Sequence, residues 1–425
     1  MFVGITNTPR DYPWGSHTAI SDLLGTSASG EPEAELWLGA HPGSPSVILD
    51  PAAVGGAANL AEWIAAAPDV ALGTVADPAS GAQSSEPRLP FLMKVLAAAS
   101  PLSLQAHPTP QQAREGFERE NEAGVPQDAP FRNYKDAYPK PELMLALSET
   151  FEALCGFRSV EATRASLDAL LIADAELVGG GLGQVSLPET SLVDGSPIAA
   201  LRARLTSDAT LPRTFKWLIS RADGVDVLVE RVVAAAQAAV DAGLAGAEFA
   251  TVVSLAEQYP GDPGIVISLL INRVSLKRGE VLYLPAGNIH AYLDGLGIEV
   301  MASSDNVLRG GLTAKHIDVA ELLRVLDFAT LPIPYLPPTA LAAGVTEYRP
   351  DVSDFVLVHA EGDDIAVTYP LNGPAIALGL SGSFEIVGSE SSVVVGRGES
   401  VYVTPSEGPL TIRGSGELVL STTGR

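Results

Sequence analysis

Cysteine is almost missing. Cys155 is the only one in 425 residues, so no disulfide can close within the chain, and a reducing cytoplasm is the simplest setting. Cations are scarce as well. Lys and Arg number 26 against 51 Asp and Glu, a formal charge of −25. A chain without a basic face is not built for nucleic acid or for anionic lipid surfaces. No uninterrupted apolar run approaches the roughly 18 residues that span a bilayer. The opening MFVGITNTPRDYPWG has neither the basic nor the apolar region of a secretory signal. Histidine is rare enough, at six residues, for each to be weighed singly.

What remains is the composition of a folded protein, 46% hydrophobic and 18% charged, rich in Ala, Val, Leu and Gly. Its length calls for two or three domains. Residues 1–150 and 265–330 read as short strands and turns with few helical stretches. Pro90 to Gln105 is apolar and ends in a strand-like alternation. Two further strands are expected in Gly264 to Pro285, IVISLLINRVSL and EVLYLP, separated by Lys277-Arg278-Gly279. Between these regions the texture becomes helical. Ser159 suits the N-cap of a helix whose Val160, Leu167, Leu170 and Leu171 share one face. Helical patterns continue over Thr214 to Val240 and over GAEFATVVSLAEQY, with the glycines 179–183 as a loop. Residues 156–260 thus read as a helical insertion in a mainly β chain.

The last hundred residues return to short strands and contain an internal echo. Arg278-Gly279-Glu280-Val281-Leu282-Tyr283-Leu284-Pro285 recurs as Arg397-Gly398-Glu399-Ser400-Val401-Tyr402-Val403-Thr404-Pro405. A Gly-Glu turn feeding an apolar strand that ends at proline is a recurring element of double-sheet barrels, and the echo reads as a duplication. The first copy runs on to Asn288-Ile289-His290, whereas the second has no histidine. The expectation is one barrel able to bind metal and one without.

Strand alternation puts Gln105 and His107 on one face. Taken alone, that pair also fits a hydrogen-bonded structural histidine. In Tyr138-Pro139-Lys140-Pro141-Glu142 the two prolines hold an extended backbone, so Lys140 and Glu142 share a face, as they also would in a rigid surface turn. His290 follows a strand through Gly287, where a tight turn is permitted. Gln105, His107, Glu142 and His290 together form an N₂O₂ set suited to a catalytic divalent cation, zinc first, with Mn²⁺ or Fe²⁺ as alternatives. His41 repeats the Ala-His-Pro context but has Gly39 as its neighbour two residues back, so it reads as structural or supporting. His17, His316 and His359 carry no such signal.

At this point the chain resembles a known family, the type I phosphomannose isomerases. The resemblance rests on Gln105-Ala106-His107-Pro108 and on Lys140-Pro141-Glu142 with Leu154-Cys155-Gly156-Phe157-Arg158 further on. It rests also on Leu284 to Tyr292 (LPAGNIHAY), on Glu299 to Lys315 (EVMASSDNVLRGGLTAK), on Trp14-Gly15 and on Ala34 to Gly39 (AELWLG). These motifs occur in the family's order over residues 12–330, and the last hundred residues match in general texture only. Pro13 stands where some relatives carry an acidic residue.

The resemblance implies two cupin-like jelly-roll barrels plus an α-helical domain. The catalytic barrel is formed by residues 1–155 with 261–330, the insertion by 156–260, and a second, metal-free barrel by 331–425. It implies zinc on the quartet named above, one ion per subunit. It further implies interconversion of mannose 6-phosphate and fructose 6-phosphate, in carbohydrate metabolism that feeds nucleotide-mannose synthesis or mannose catabolism; the chain is expected to work as a cytoplasmic monomer. Such a reaction needs a base and a cation for the enediolate. Arg309 suits the enediolate or the phosphate, although by itself it would also suit a salt bridge with Asp305. Lys140, Glu299 and a zinc-bound hydroxide are the candidate bases, with Lys140 slightly ahead. Lys94, Ser103 and Lys315 are the phosphate donors, Lys94 being equally able to snorkel from its strand. Trp14 and Glu35 complete the substrate set, and Trp37 belongs to the core. An iron or manganese cupin oxygenase and a non-catalytic sugar-binding cupin are the rivals. Neither explains Gln105 together with the Lys140 and Arg309 cations.

Overall fold

The computed structural model describes residues 1–73, 87–179, 195–244 and 246–424. It is mainly sheet, with a helical layer. Two nine-stranded antiparallel sheets share a hydrophobic core, to which Val95, Leu143 and Val300 of the first and Leu357, Ile376 and Val419 of the second contribute. All eight residues of the strand Phe91–Ala98 are buried, because both its faces are covered. Phe91, Met93, Val95 and Ala97 enter the shared core, whereas Leu96 and Ala98 point into the first sheet's own interior. Lys94 is on that interior face, and a buried lysine in such a strand has to find carboxylates.

The helices lie where the composition changes. Val160–Gly179 is one helix, and the Ser159 hydroxyl accepts the Ala162 amide at 3.1 Å at its start. Val160, Leu167, Leu170 and Leu171 are all buried on its inner face. Each contributes on the order of 1.5–3 kcal/mol. The Thr214 to Val240 pattern resolves into two helices, Leu211–Ile219 and Val225–Asp241, and a further one spans Ala247–Gln258. Of the glycines expected to form a loop, Gly179 closes the helix, and 180–183 lie outside the described residues.

Three expectations are corrected. The segment IVISLL is not a strand: Gly264–Ile267 is a helical turn and Ser268–Leu270 a 3-10 turn, with the strand beginning at Ile271. Every residue from 264 to 271 is buried, so the run carries no periodicity to tell helix from strand. Pro110–Glu122 is a thirteen-residue helix, longer than the few helical stretches expected in this region of strands and turns. Its start carries a capping box, Thr109 with Gln112, and a proline at the first helical position. Finally, the strand Phe2–Thr6 pairs with Ser400–Val403 and with Val47–Ile48, so these two strands lie in the second sheet while the other strands of 1–155 lie in the first.

The two Arg-Gly-Glu copies make the same turn. Gly279 and Gly398 have φ of +83° and +78°, which only glycine adopts freely. Glu280 accepts the Lys277 amide at 2.9 Å, and Glu399 accepts the Gly396 amide at 2.8 Å. No helix among the described residues is long and apolar enough to cross a membrane.

Candidate metal centre and active-site cleft

The strand His290–Ala302 is the spine of the site. His290 pairs with Gln105, and Gln105 on its other side pairs with Arg309. Glu299 lies opposite Lys94, and Met301 opposite Glu142. Laterally paired residues point to the same face of a sheet. Gln105, His290 and Arg309 therefore form one row, and Lys94 with Glu299 another.

His107 follows the short strand Leu104–Ala106, and its Nδ1 lies 2.7 Å from the Asn306 carbonyl. His290 Nδ1 lies 3.1 Å from the Asn288 carbonyl. A carbonyl can only accept, so each ring carries its proton on Nδ1 and presents a bare Nε2 lone pair. Those lone pairs face Glu142, at 3.3 Å for His107 and 3.2 Å for His290. His107 Nε2, His290 Nε2 and Glu142 Oε2 are buried and make no hydrogen bond. Three converging acceptors without a donor repel one another unless a cation lies between them. The three residues offer ligand atoms within 4.8 Å of one another, and the donor set fits a divalent ion. Burial pushes His107 down to about 4 in spite of Glu142, so the imidazole is neutral, the form that ligates. Burial alone would raise Glu142, but the Lys140 ammonium at 2.8 Å holds its carboxyl well below the usual range.

Above this centre opens a cleft of about 480 Å³. It is lined by Trp14, Glu35, Lys94, Ser103, Gln105, Lys140, Glu142, Glu299, Arg309 and Lys315, which are all the non-histidine candidates. Gly15 follows Trp14 because the backbone of Ala34 passes so close that a Cβ would meet its Cα at 2.5 Å. Lys94 does not snorkel. Its ammonium sits 2.8 Å from Glu299 and 3.4 Å from Glu35. Burial would lower it, yet these carboxylates hold it protonated. Trp37 is buried as expected, with its indole N–H donating to Glu35 at 2.9 Å.

Arg309 and Lys315 behave differently. Among the described residues neither has a carboxylate partner, and burial lowers both, Lys315 with a further contribution from Arg309. The bridge to Asp305 that Arg309 would suit is not made, because Asp305 lies 3.2 Å from His41 Nε2. Two adjacent uncompensated cations in an acidic protein mark a place for an anion.

Sequence reasoning gave no site role to three participants, Tyr292, Asp305 and Asn306. Tyr292 donates to Glu299 at 3.0 Å from within the same strand. Asp305 and His41 form part of the cleft wall. Asn306 orients His107 through a backbone atom. Asn306 and Asp305 lie inside the EVMASSDNVLRGG motif, while Tyr292 had only its i+2 spacing from His290 as a signal.

The second candidate cluster, His359, Glu361 and Glu417, is already satisfied. Glu417 receives His359 at 2.9 Å and Arg278 at 2.5 Å, and a guanidinium fills the space a cation would need.

Comparison with known proteins fits this arrangement. Residues 2–160 match the family model of the type I phosphomannose isomerase catalytic domain. A mannose-6-phosphate isomerase from Shigella flexneri is 33% identical over 419 residues, covering 97% of this chain and 97% of its own. This chain belongs to the type I phosphomannose isomerase family. The similarity takes in the last hundred residues, which the motifs alone did not reach. Among solved phosphomannose isomerases, a variant from Salmonella typhimurium superposes with a TM-score of 0.84 at 31% identity, over all of both chains. A zinc-bound mannose 6-phosphate isomerase gives a TM-score of 0.83 at 32% identity, again over both chains entire.

Proposed function

We propose that the chain interconverts mannose 6-phosphate and fructose 6-phosphate at a zinc centre held by Gln105, His107, Glu142 and His290. One observation carries this reading: three buried ligand atoms converge without hydrogen bonds beneath a cleft that holds two uncompensated cations. Full-length similarity to mannose-6-phosphate isomerases, one of them zinc-bound, supports it.

The reaction moves a proton between C1 and C2 through a cis-enediol, and zinc would supply Lewis acidity for the sugar oxygens. Arg309, in line with Gln105 and His290, balances the charge of the enediolate. Lys315 and Ser103 hold the phosphate, with Trp14 against the sugar. Lys94 positions Glu299 and Glu35, since its charge is spent on them. Of the two side-chain bases, Glu299 is the better placed. Burial raises its carboxyl against the pull of Lys94, and Tyr292 fixes its direction. Lys140 is engaged by Glu142 and serves to hold that ligand.

We read the two sheets as cupin-type jelly-roll barrels, the first interrupted by the helices of 156–260 and the second centred on 331–425. Antiparallel pairing throughout and the repeated Arg-Gly-Glu turn support this. A working monomer in a reducing cytoplasm completes the proposal, a setting that the buried free thiol of Cys155 suits. An oxygenase would need neither Arg309 nor Lys315, and a sugar-binding cupin would need no open metal position.

The test is a coupled assay of mannose 6-phosphate conversion on metal-replete protein, then after chelation, then with Zn²⁺ restored. The reading requires turnover that is lost and regained. Absence of turnover in the metal-replete protein removes it.

A further inference from the structure

The metal ligands sit on segments far apart in sequence, and one asparagine joins two of them. The Asn306 carbonyl accepts the Nδ1 proton of His107 at 2.7 Å. Its side chain, fully buried, is spent on the segment that leads to Lys140 and Glu142. Asn306 Oδ1 accepts the amides of Lys135 at 2.7 Å and Asp136 at 3.2 Å. Its Nδ2 donates to the carbonyls of Asp136 and Tyr138, both at 2.8 Å, and lies 3.2 Å from Asp136 Oδ1. Asp136 reciprocates. It accepts the Ser304 hydroxyl at 2.8 Å and the Asp305 amide at 2.9 Å, besides the Tyr138 amide at 2.9 Å. An amide has two donor and two acceptor sites, and both ends of this one are used on a single segment.

We propose that Asn306 is a positioning residue for the metal centre, clamped by Asp136, which fixes the His107 imidazole and the Glu142 carboxylate relative to each other. This rests on the zinc reading above. The physical reason is that Glu142 has no rigid element of its own until its strand begins at that residue. The preceding residues 133–141 are loop, and the Asn306 and Asp136 contacts supply most of the bonds that tie that loop to the backbone that orients His107, beside the Ser304 hydroxyl on the Tyr138 carbonyl at 3.2 Å and the Ala302 amide on the Pro141 carbonyl at 3.1 Å. If the amide is lost, the Asn306 carbonyl loses its anchor, so His107 can rotate and the approach to Glu142 can slacken. Partners of this kind are worth roughly 10–100-fold in metal affinity.

The experiment compares Zn²⁺ affinity, by competition with a chromophoric chelator, in the wild type, Asn306→Ala and Asn133→Ala. Asn133 donates to Asp318 at 3.0 Å from the same loop, and its side chain is directed there and not to residues 303–306, so it controls for general loosening. The proposal expects at least about tenfold weaker binding in Asn306→Ala and about unchanged binding in Asn133→Ala. It also expects the visible bands of the Co²⁺-substituted protein to shift only in Asn306→Ala, since those bands report ligand geometry. Wild-type affinity with an unshifted Co²⁺ spectrum in Asn306→Ala overturns the proposal, as does an equal loss in both variants. If Asn306→Ala does not fold, the near-isosteric Asp136→Asn carries the test: weakened binding with a shifted spectrum supports the clamp, and unchanged binding overturns it. Failure of the wild type itself to bind Zn²⁺ would instead count against the functional reading.

Discussion

Lys94 and Glu299 face each other across two paired strands, ammonium to carboxylate at 2.8 Å, with both side chains buried. Neither charge would be tolerated there alone. Removing one partner of a buried pair leaves the other without compensation, at a cost of about 3–5 kcal/mol. Lys94→Met keeps the shape and strands both Glu299 and Glu35. Denaturant melts should therefore show a stability loss of about that size, and Glu299 should take up a proton, abolishing turnover at neutral pH. A variant as stable as the wild type would mean that the carboxylates are compensated elsewhere.

Arg309 and Lys315 have separate duties in this account. Arg309→Ala should lower kcat by about 10²–10³-fold, the usual cost of one charge-stabilising donor, while zinc content stays at the wild-type level. Lys315→Ala should act mainly on KM, since a phosphate contact is made equally in ground state and transition state. Steady-state kinetics with metal analysis on both proteins checks this. Loss of zinc in Arg309→Ala would mean that its role is misassigned.

Local chemistry made much of this legible in the sequence. The helix at 160–179 announced itself through its apolar face, and the strand that carries Gln105 through its alternation. Where both faces of a segment are buried the signal vanishes, which is why 264–270 read as strand although it is helical. Long-range pairing left no trace either: nothing in FVGIT says that it lies beside Ser400–Val403. Donor chemistry grouped Gln105, His107, Glu142 and His290 as candidate ligands, but the distances between them follow only from the pairing of distant strands. Asn306 shows the deeper limit, because its carbonyl does what no side-chain reading can foresee.

The turn at Arg278 should matter for stability and not for catalysis. Its guanidinium donates to the Leu147 carbonyl of the first sheet and to Glu417 of the second, and Tyr348 bonds the Gly279 carbonyl at 2.8 Å. Arg278→Ala should cost about 1–3 kcal/mol, the scale of a hydrogen bond to a charged group. Melting curves and kcat measured side by side check this, with kcat expected to hold.

Glu407 supplies an acid-dependent term. Its buried carboxylate accepts the Ser391 hydroxyl and the amides of Glu390 and Ser391. Burial would raise it, but these bonds and the nearby amino terminus bring it from 4.5 down to about 2. A depressed carboxyl stabilises the fold above its unfolded value and stops doing so as pH falls through its folded one. The stability gap between wild type and Glu407→Gln should therefore be full above about pH 4.5 and close towards about pH 2. A gap independent of pH would show that Glu407 is protonated in the fold.

The central claim is positional: one divalent ion bound jointly by four residues from three separate stretches of chain. Anomalous diffraction at the zinc edge, on crystals of the metal-replete protein, tests it directly. The account predicts a single strong peak within bonding distance of His107 Nε2, His290 Nε2 and Glu142, with Gln105 beside it. A peak elsewhere, or none in protein that turns over mannose 6-phosphate, would contradict it.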